Sequence, residues 1–425
     1  MADAEAAEPE EAPVDDAPLL RAAEGVLSDA LGGVAVRLEV ADVLRQRYRN
    51  RVLRCQVVEA LRGDRVPATV VLKVSTGEND DAYDPQNDRQ RGTAWRFFNE
   101  WAGTRYLNER FGTRGEPPPC ARLWGADRAA ALIVLEDLGE GASLADRLQG
   151  EDPDAAVAAL DAYARALGRL HAATAGDETG FLQIRQAAAG TDATGGAAAA
   201  GAWLTENVAP FREQCAALGV PPAPGFEEDA EIVQRAMDEP GPFLAFAPGD
   251  TCPDNHRLRD DGTLRFFDFE FAGFRHALLD AAYLHLPFPT CWCVNRLPDG
   301  LPDRLEDTYR AELVAGCPEA ADDATFAAAT ARACAYWTVT SLSWSLEHAL
   351  REDGQWGLAT NRQRHLLRLD NFAALAERTG QLPAIGETAR RLCDTLRTLW
   401  PPEQLEPMPV YPPFRGGPTE EKIHV

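Results

Sequence analysis

FAPGDTCPDNHRLRDDGTLRFFDFEFAGFRHALLD, residues Phe246 to Asp280, is the stretch whose reading decides the fold. In it Gly249-Asp250 is followed five residues on by Asn255, and thirteen residues beyond Asn255 lies Asp268, which ends a short apolar run. A tight loop from Asp250 to Asn255, a turn at Asp260-Asp261-Gly262 and a strand from Leu264 to Phe267 would return the chain antiparallel beside its start. That path gathers one lone carboxylate, Asp250, with an Asn255 and Asp268 pair whose hard oxygens can hold a hard cation. Taken alone, the stretch also reads as a plain β-hairpin with surface acids, because Gly-Asp and Asp-Asp-Gly are ordinary turns.

A second feature lies far upstream. Of forty-two basic residues forty are Arg, and the two lysines are Lys73 and Lys422. Lys73 sits in V-V-L-K-V, flanked by Val70, Val71, Leu72 and Val74 in a strand pattern. A chain that otherwise uses Arg for its cations has kept a compact ammonium there, which points to a role at that position. Downstream, a helix expected from about Thr93 to Arg110 carries Glu100 among Phe97, Phe98 and Trp101. Packing of that helix on the sheet would pair Glu100 with Lys73, with Glu109 as the fallback partner.

The 425 residues exceed what one hydrophobic core usually organises, so two lobes are expected. No long uncharged apolar run suits a membrane span, and the N-terminus lacks the basic start of a signal peptide, so the expectation is a soluble cytoplasmic protein without a membrane partner. The net charge of -25 is uneven: residues 1–16 carry -7, residues 17–135 carry +3 and residues 136–425 carry -21. Nucleic acid is an unsuitable partner for so acidic a region, since phosphate backbones need clustered cations. The nine cysteines are scattered with no C-x-x-C pair, and Cys291-Trp292-Cys293 lacks further ligands at zinc spacing, so reduced thiols are expected.

In order along the chain, residues 1–16 read as a disordered acidic tail. A helix from about Leu20 leads to strands at Val34–Leu44, Arg51–Ala60 and Thr69–Ser75, joined by a basic first turn and a second turn at Gly63-Asp64. Residues 76–92 read as a polar loop. After the Glu100 helix, strands at Ala121–Trp124 and Ala130–Leu135 run into Glu136-Asp137-Leu138-Gly139, a strand-to-helix junction suited to a hinge whose backbone groups could pair with a ligand edge. Beyond it the pattern is helical, with His171 packed on its helix, Gln186–Gly201 a low-complexity mobile loop and a Pro-rich tail from Pro401. Helices are expected near Ala202–Leu218, Phe226–Asp238, Pro302–Ala315, Ala324–Arg351, Asn361–Thr379 and Ile385–Leu399. The fold class is thus α+β, with a small antiparallel-sheet lobe over residues 17–135 and a larger mainly helical lobe over residues 136–400.

Lys on a third strand, a helix Glu, an inter-lobe hinge, then G-D-x-x-x-x-N and F-F-D-F-E with a later L-L-D together resemble the aminoglycoside phosphotransferase family, of protein-kinase-like fold. The resemblance covers about residues 20–400, and its sharp part is Pro248–Asp280. It implies an ATP- and Mg2+-dependent kinase of the phosphotransferase type, transferring the γ-phosphate to a small-molecule hydroxyl. Asp250 would be the catalytic base, and Asn255 and Asp268 the Mg2+ ligands. Lys73, held by Glu100, would bind nucleotide phosphates, and Glu136 and Leu138 would lie at the adenine edge. Asp280 would be structural, its carboxylate receiving backbone N–H groups beneath the catalytic loop.

Two departures stand out. Pro248 occupies the place of a customary His, and the first turn lacks a glycine-rich phosphate loop, leaving its arginines and Asn50 either for that task or as a merely solvated basic turn. On the acceptor side the C-terminal helices offer Trp292, Trp337, Trp344 and Trp356 with Glu347, Glu352 and Asp353. Acids with aromatics suit a cationic, amine-bearing hydroxyl compound. Trp337 and Trp344 are seven apart on one helix face, which more often means core. The rival readings are a sugar or protein kinase on the same fold, and a regulatory pseudokinase that binds nucleotide without transfer.

Overall fold

The computed structural model describes residues 16–47, 49–60, 66–77, 81–190, 202–401 and 405–416. The expected turn at Gly63-Asp64, most of the acidic tail and residues 191–201 of the low-complexity loop lie outside them.

Helix α1 (Ala17–Ala30) is followed by β1 (Val36–Arg47), β2 (Asn50–Ala60) and β3 (Thr69–Ser75). Then come α2 (Thr93–Gly112), β4 (Leu123–Asp127) and β5 (Leu132–Glu136). The five strands form one antiparallel sheet in the order β1-β2-β3-β5-β4. Strand alternation sorts the side chains to two faces. Val70, Leu72, Leu132 and Val134 pack on Ala23 and Leu27 of α1. Val71, Ile133 and Leu135 meet Ala94, Phe97 and Phe98 of α2. The same period of two turns Lys73 toward the α2 face, and burial of Phe97 and Phe98, each contributing about 2–3 kcal/mol, fixes α2 against it.

The rest is mainly helical: α3 (Leu144–Gln149), α4 (Pro153–Thr174), α5 (Glu178–Ala189), α6 (Ala209–Ala217) and α7 (Phe226–Asp238) come first. Four short strands follow, β6 (Leu244–Ala247), β7 (His256–Leu258), β8 (Leu264–Phe266) and β9 (Gly273–His276), then α8 (Leu278–Ala281) and α9 (Leu301–Leu313). The long α10 (Asp323–Arg351), the hairpin β10 (Gln355–Trp356) with β11 (Ala359–Thr360), α11 (Asn361–Thr379) and α12 (Pro383–Leu399) complete it. No helix among the described residues is long and apolar enough to cross a membrane.

Several expectations need correction. The chain does not return beside its start through Leu264–Phe267: β7 and β8 form their own hairpin, and Phe246 of β6 pairs with Phe274 of β9. Residues Gln186–Ala189 belong to α5, where Ala188 and Ala189 are buried against the Phe97 cluster. Residues 405–416 are no loose tail, since Met408, Val410, Tyr411 and Phe414 are all buried in the helical core. Cys252 and Cys291 are joined in a disulfide, while the other seven cysteines are free and buried. Trp337 is core, its Nε1–H donating to the Leu279 carbonyl at 2.7 Å, but Trp344 is 63% exposed: the same helix face is covered at one turn and open two turns on.

Candidate active site

Strand β3 and helix α2 present Lys73 and Glu100 to each other, and Lys73 Nζ lies 2.8 Å from Glu100 Oε2. The same ammonium is 2.7 Å from Asp268 Oδ1. Glu109 instead pairs with Arg105 on the surface of α2. One buried cation therefore serves two carboxylates. Burial alone would lower the Lys73 pKa, but Asp268, Glu100 and Glu270 outweigh it and hold the ammonium above its usual range. Burial pushes the Glu100 carboxyl up to about 7, opposed by Lys73. Asp268 goes the other way: despite burial, Lys73, Arg45 and Arg49 keep it below the usual carboxylate range.

Asp268 takes a left-handed backbone, φ 71°, two residues after the end of β8. Among non-glycine residues Asp tolerates this region comparatively well, and it reverses the chain toward Lys73. Asn255 ends the facing loop. Its Nδ2 donates to the Asp250 carbonyl at 3.2 Å, and its own carbonyl accepts from Phe267 N–H at 3.2 Å, next to Asp268. With Nδ2 spent on the loop, Oδ1 is the Asn255 atom that could serve as a ligand. Asn255 Oδ1 and the Asp268 carboxylate are hard oxygen donors, so the residues present fit Mg2+, and Lys73 fits a phosphate.

The loop geometry depends on Gly249. It sits at φ +92°, and a Cβ there would overlap the Phe271 carbonyl, so the chain before Asp250 packs directly on the segment that carries Asp268 and Glu270. Pro248 is buried at the entry to this turn. Asp250 Oδ1 accepts from Cys252 N–H at 3.3 Å. Burial first, then the charges of Asp268 and Asp254, raise the Asp250 carboxyl to about 6, the range in which a carboxylate can take a proton near neutrality.

The Cys252–Asp254 side of the loop is stapled twice. Cys252 is bonded to Cys291, and Trp292 Nε1–H donates to Asp254 Oδ2 at 2.9 Å. Arg364 of α11 holds the same segment, donating to the carbonyls of Cys291 at 2.7 Å and Trp292 at 3.0 Å. Asp250 lies within ligand distance of Cys252 and Cys291, yet sulfurs committed to a disulfide are not thiolate ligands, so the trio is no metal site. Glu347 and Asp353 are drawn into local contacts, with Arg351 and with the Arg362 N–H respectively.

The junction between sheet and helices is tied to β7. Arg257 donates to Gly141 O, Arg259 Nη1 to Leu138 O at 2.8 Å, and Leu258 N–H to Ala142 O at 3.0 Å. Glu136 accepts the Arg122 N–H at 3.0 Å and Asp137 pairs with Arg54 at 2.8 Å. Asp280 proves structural by a different route from the one expected: its carboxylate meets Arg275 at 2.7 Å and His171 at 3.4 Å, not backbone N–H groups. His171 is packed as expected, with Tyr309 on its other nitrogen at 2.9 Å. Sequence reasoning missed Glu270, although it stands in the F-D-F-E motif, and missed the disulfide, for which 39 residues of separation left no local signal.

No known family matches the sequence, and no curated protein matches it. Among solved structures, the chain is similar to the choline kinase LicA from Streptococcus pneumoniae at 13% identity, covering 84% of this chain and 100% of that one, with a TM-score of 0.40. An ethanolamine kinase of Plasmodium vivax is similar at 10% identity, covering 88% and 85%, TM-score 0.39. An aminoglycoside phosphotransferase from Alicyclobacillus acidocaldarius is similar at 14% identity, covering 91% and 98%, TM-score 0.45. The chemistry of the site is therefore read from its own geometry.

Proposed function

We propose that this chain is an ATP- and Mg2+-dependent phosphotransferase acting on the hydroxyl of a small molecule. The observation that carries the reading is the Lys73 ammonium set between Glu100 and Asp268, facing a loop whose Asp250 carboxyl is raised to about 6. In the proposed reaction Asp250 accepts the acceptor's O–H proton and orients its oxygen. The new O–P bond to the γ-phosphorus forms as the bond to the β,γ-bridging oxygen breaks, and ADP leaves. Lys73, positioned by Glu100, binds the α- and β-phosphates. Asn255 and Asp268 would hold Mg2+, which neutralises phosphate charge when bound. Phosphoryl transfer asks mainly for such positioning and charge compensation, which this residue set can supply.

On this reading residues 17–135 form the nucleotide-phosphate lobe and residues 136–400 the catalytic and acceptor lobe. The adenine edge falls at Glu136–Leu138, where the Leu138 carbonyl already accepts one hydrogen bond from Arg259. Asp254 and Trp292 beside Asp250 suit an acceptor bearing an amine. The cytoplasm, where ATP is abundant, is the compartment the reading takes.

Transfer of labelled γ-phosphate from ATP to a panel of hydroxyl compounds tests the reading, with Asp250→Asn as the control. Wild-type transfer that Asp250→Asn abolishes, with nucleotide affinity retained, supports it. Nucleotide binding with no transfer to any acceptor would favour the pseudokinase, and equal turnover by Asp250→Asn would remove Asp250 as the base.

A further inference from the structure

The sheet places a row of polar side chains on the face that covers the cleft. Arg45 of β1 stands opposite Val52 of β2, and Val52 stands opposite Lys73 of β3. Directly opposed residues of antiparallel strands point to the same face, so Arg45 and Lys73 share one row two strand spacings apart. The next row on that face joins Asn50 to Ser75, and Ser75 Oγ donates to Asn50 Oδ1 at 3.4 Å. Lys73, Arg45, Arg49 and Asn50 reach the segment that carries Asp268. Arg45 Nη1 lies 3.8 Å from Asp268 Oδ2, Arg49 Nη1 lies 4.0 Å from Glu270 Oε1, and Asn50 Nδ2 donates to Glu270 Oε2 at 3.3 Å.

The two arginine distances are too long for hydrogen bonds, so Arg45–Asp268 and Arg49–Glu270 are ion pairs without a direct hydrogen bond between them. Both side chains are substantially exposed, at 53% and 41%, whereas Lys73 is buried and already shared by two carboxylates. The cleft holds Glu100, Asp250, Asp268 and Glu270 against that single buried ammonium. A triphosphate brought beside four acids needs more cationic charge than Lys73 can release. None of residues 45–50 is glycine, so the β1–β2 turn is not built as a backbone N–H cradle for phosphate. Guanidinium groups bind phosphate oxygens in bidentate fashion and can replace such a cradle.

Resting on the phosphotransferase reading, we infer that Arg45 and Arg49 are the terminal-phosphate clamp of this protein, leaving Asp268 and Glu270 to grip the nucleotide polyphosphate from the β1–β2 turn. The ligand class is a nucleoside di- or triphosphate, discriminated from the nucleoside by these two arginines. Both are positioning and binding residues, acting without proton transfer.

Calorimetric affinities of ATP, ADP and adenosine for wild type, Arg45→Gln, Arg49→Gln, the double Gln variant and Arg45→Lys test it, with melting temperatures recorded alongside. Each Gln change is expected to weaken ATP on the order of tenfold, the double change by more, with adenosine unaffected and the salt dependence of ATP binding made shallower. Arg45→Lys is expected to fall between wild type and Arg45→Gln. ATP bound equally by wild type and the double variant would overturn the clamp while leaving the phosphotransferase reading standing. Parallel loss of ATP and adenosine would make the arginines structural and also overturn it. Binding of neither ligand by wild type would overturn both readings.

Discussion

Lys73 Nζ lies 2.7 Å from Asp268 Oδ1, joining β3 to the segment after β8 across 195 residues of sequence. This contact brings the sheet and the segment carrying Asp268 into one site. Its other arm, to Glu100, makes a buried carboxylate and the largely buried Asp268 share one ammonium, with Arg45 at 3.8 Å as a further cation on Asp268. Lys73→Ala should therefore cost about 3 kcal/mol of stability at neutral pH, because it strands buried Glu100 without a counter-charge and weakens that of Asp268. Urea unfolding measures it. The loss should shrink when Glu100→Gln is added, since the two substitutions act on one network. Stability unchanged in Lys73→Ala would remove the network from the account of the fold.

Asp250 governs the pH dependence. Its folded carboxyl, raised to about 6, stays protonated to higher pH than in the unfolded chain. The resulting advantage of the folded state is full below the unfolded value near 4 and is lost as pH rises through about 6. Activity should run the opposite way, because the base must be deprotonated: kcat/KM is expected to rise along an acid limb with an apparent pKa near 6. A pH profile flat from 5 to 8 would disagree with this assignment. In Asp250→Asn the stability change between about pH 4 and 6 should also flatten.

The disulfide closes a 39-residue separation between the Asp250–Asn255 loop and the Trp292 segment. By chain entropy its reduction should cost about 4 kcal/mol and lower the melting temperature. Thiol titration of the denatured chain should find seven thiols before reduction and nine after. Nine before reduction would agree with a reducing cytoplasm and refute the bond. Because the bond adjoins Asp250, thiol treatment should also lower turnover while leaving nucleotide affinity largely intact.

Gly249→Ala should be disruptive out of proportion to one methyl group. The position combines φ +92° with a Cβ path into the Phe271 carbonyl. A loss of at least about 2 kcal/mol is expected, with the loop displaced from Asn255. Thermal unfolding checks the first part, and loss of phosphate transfer the second. Gly262→Ala, at positive φ but in open space, should cost only about 1 kcal/mol and serves as the comparison.

Much of the local structure was legible because local rules set it. The bounds of β3, α7 and α11 follow apolar periodicity and turn residues, and α11 is opened by a capping box of Thr360 and Gln363. Helix α5 was hidden because Asp177 makes no side-chain cap and Gly180 sits in its first turn, so burial against α2 and the Arg185 contacts with Asn99 and Asp88 hold it. The low-complexity composition that follows masked its end.

Lysine usage and the spacing of Asp250, Asn255 and Asp268 by themselves singled out Lys73 and these three residues of the candidate centre, though not Glu270, since chemistry restricts the residue types and short loops restrict their separation. Tertiary structure alone decided their partners. The share of Lys73 between Glu100 and Asp268, the Arg45–Asp268 and Asn50–Glu270 contacts, the Cys252–Cys291 bond and the Asp280–Arg275 pair all join segments by burial and packing. The first four span dozens to hundreds of residues. Even Arg275 and Asp280, five residues apart, needed the fold to set the path from β9 into α8 that brings them together, since an exposed pair at that separation gains little in water.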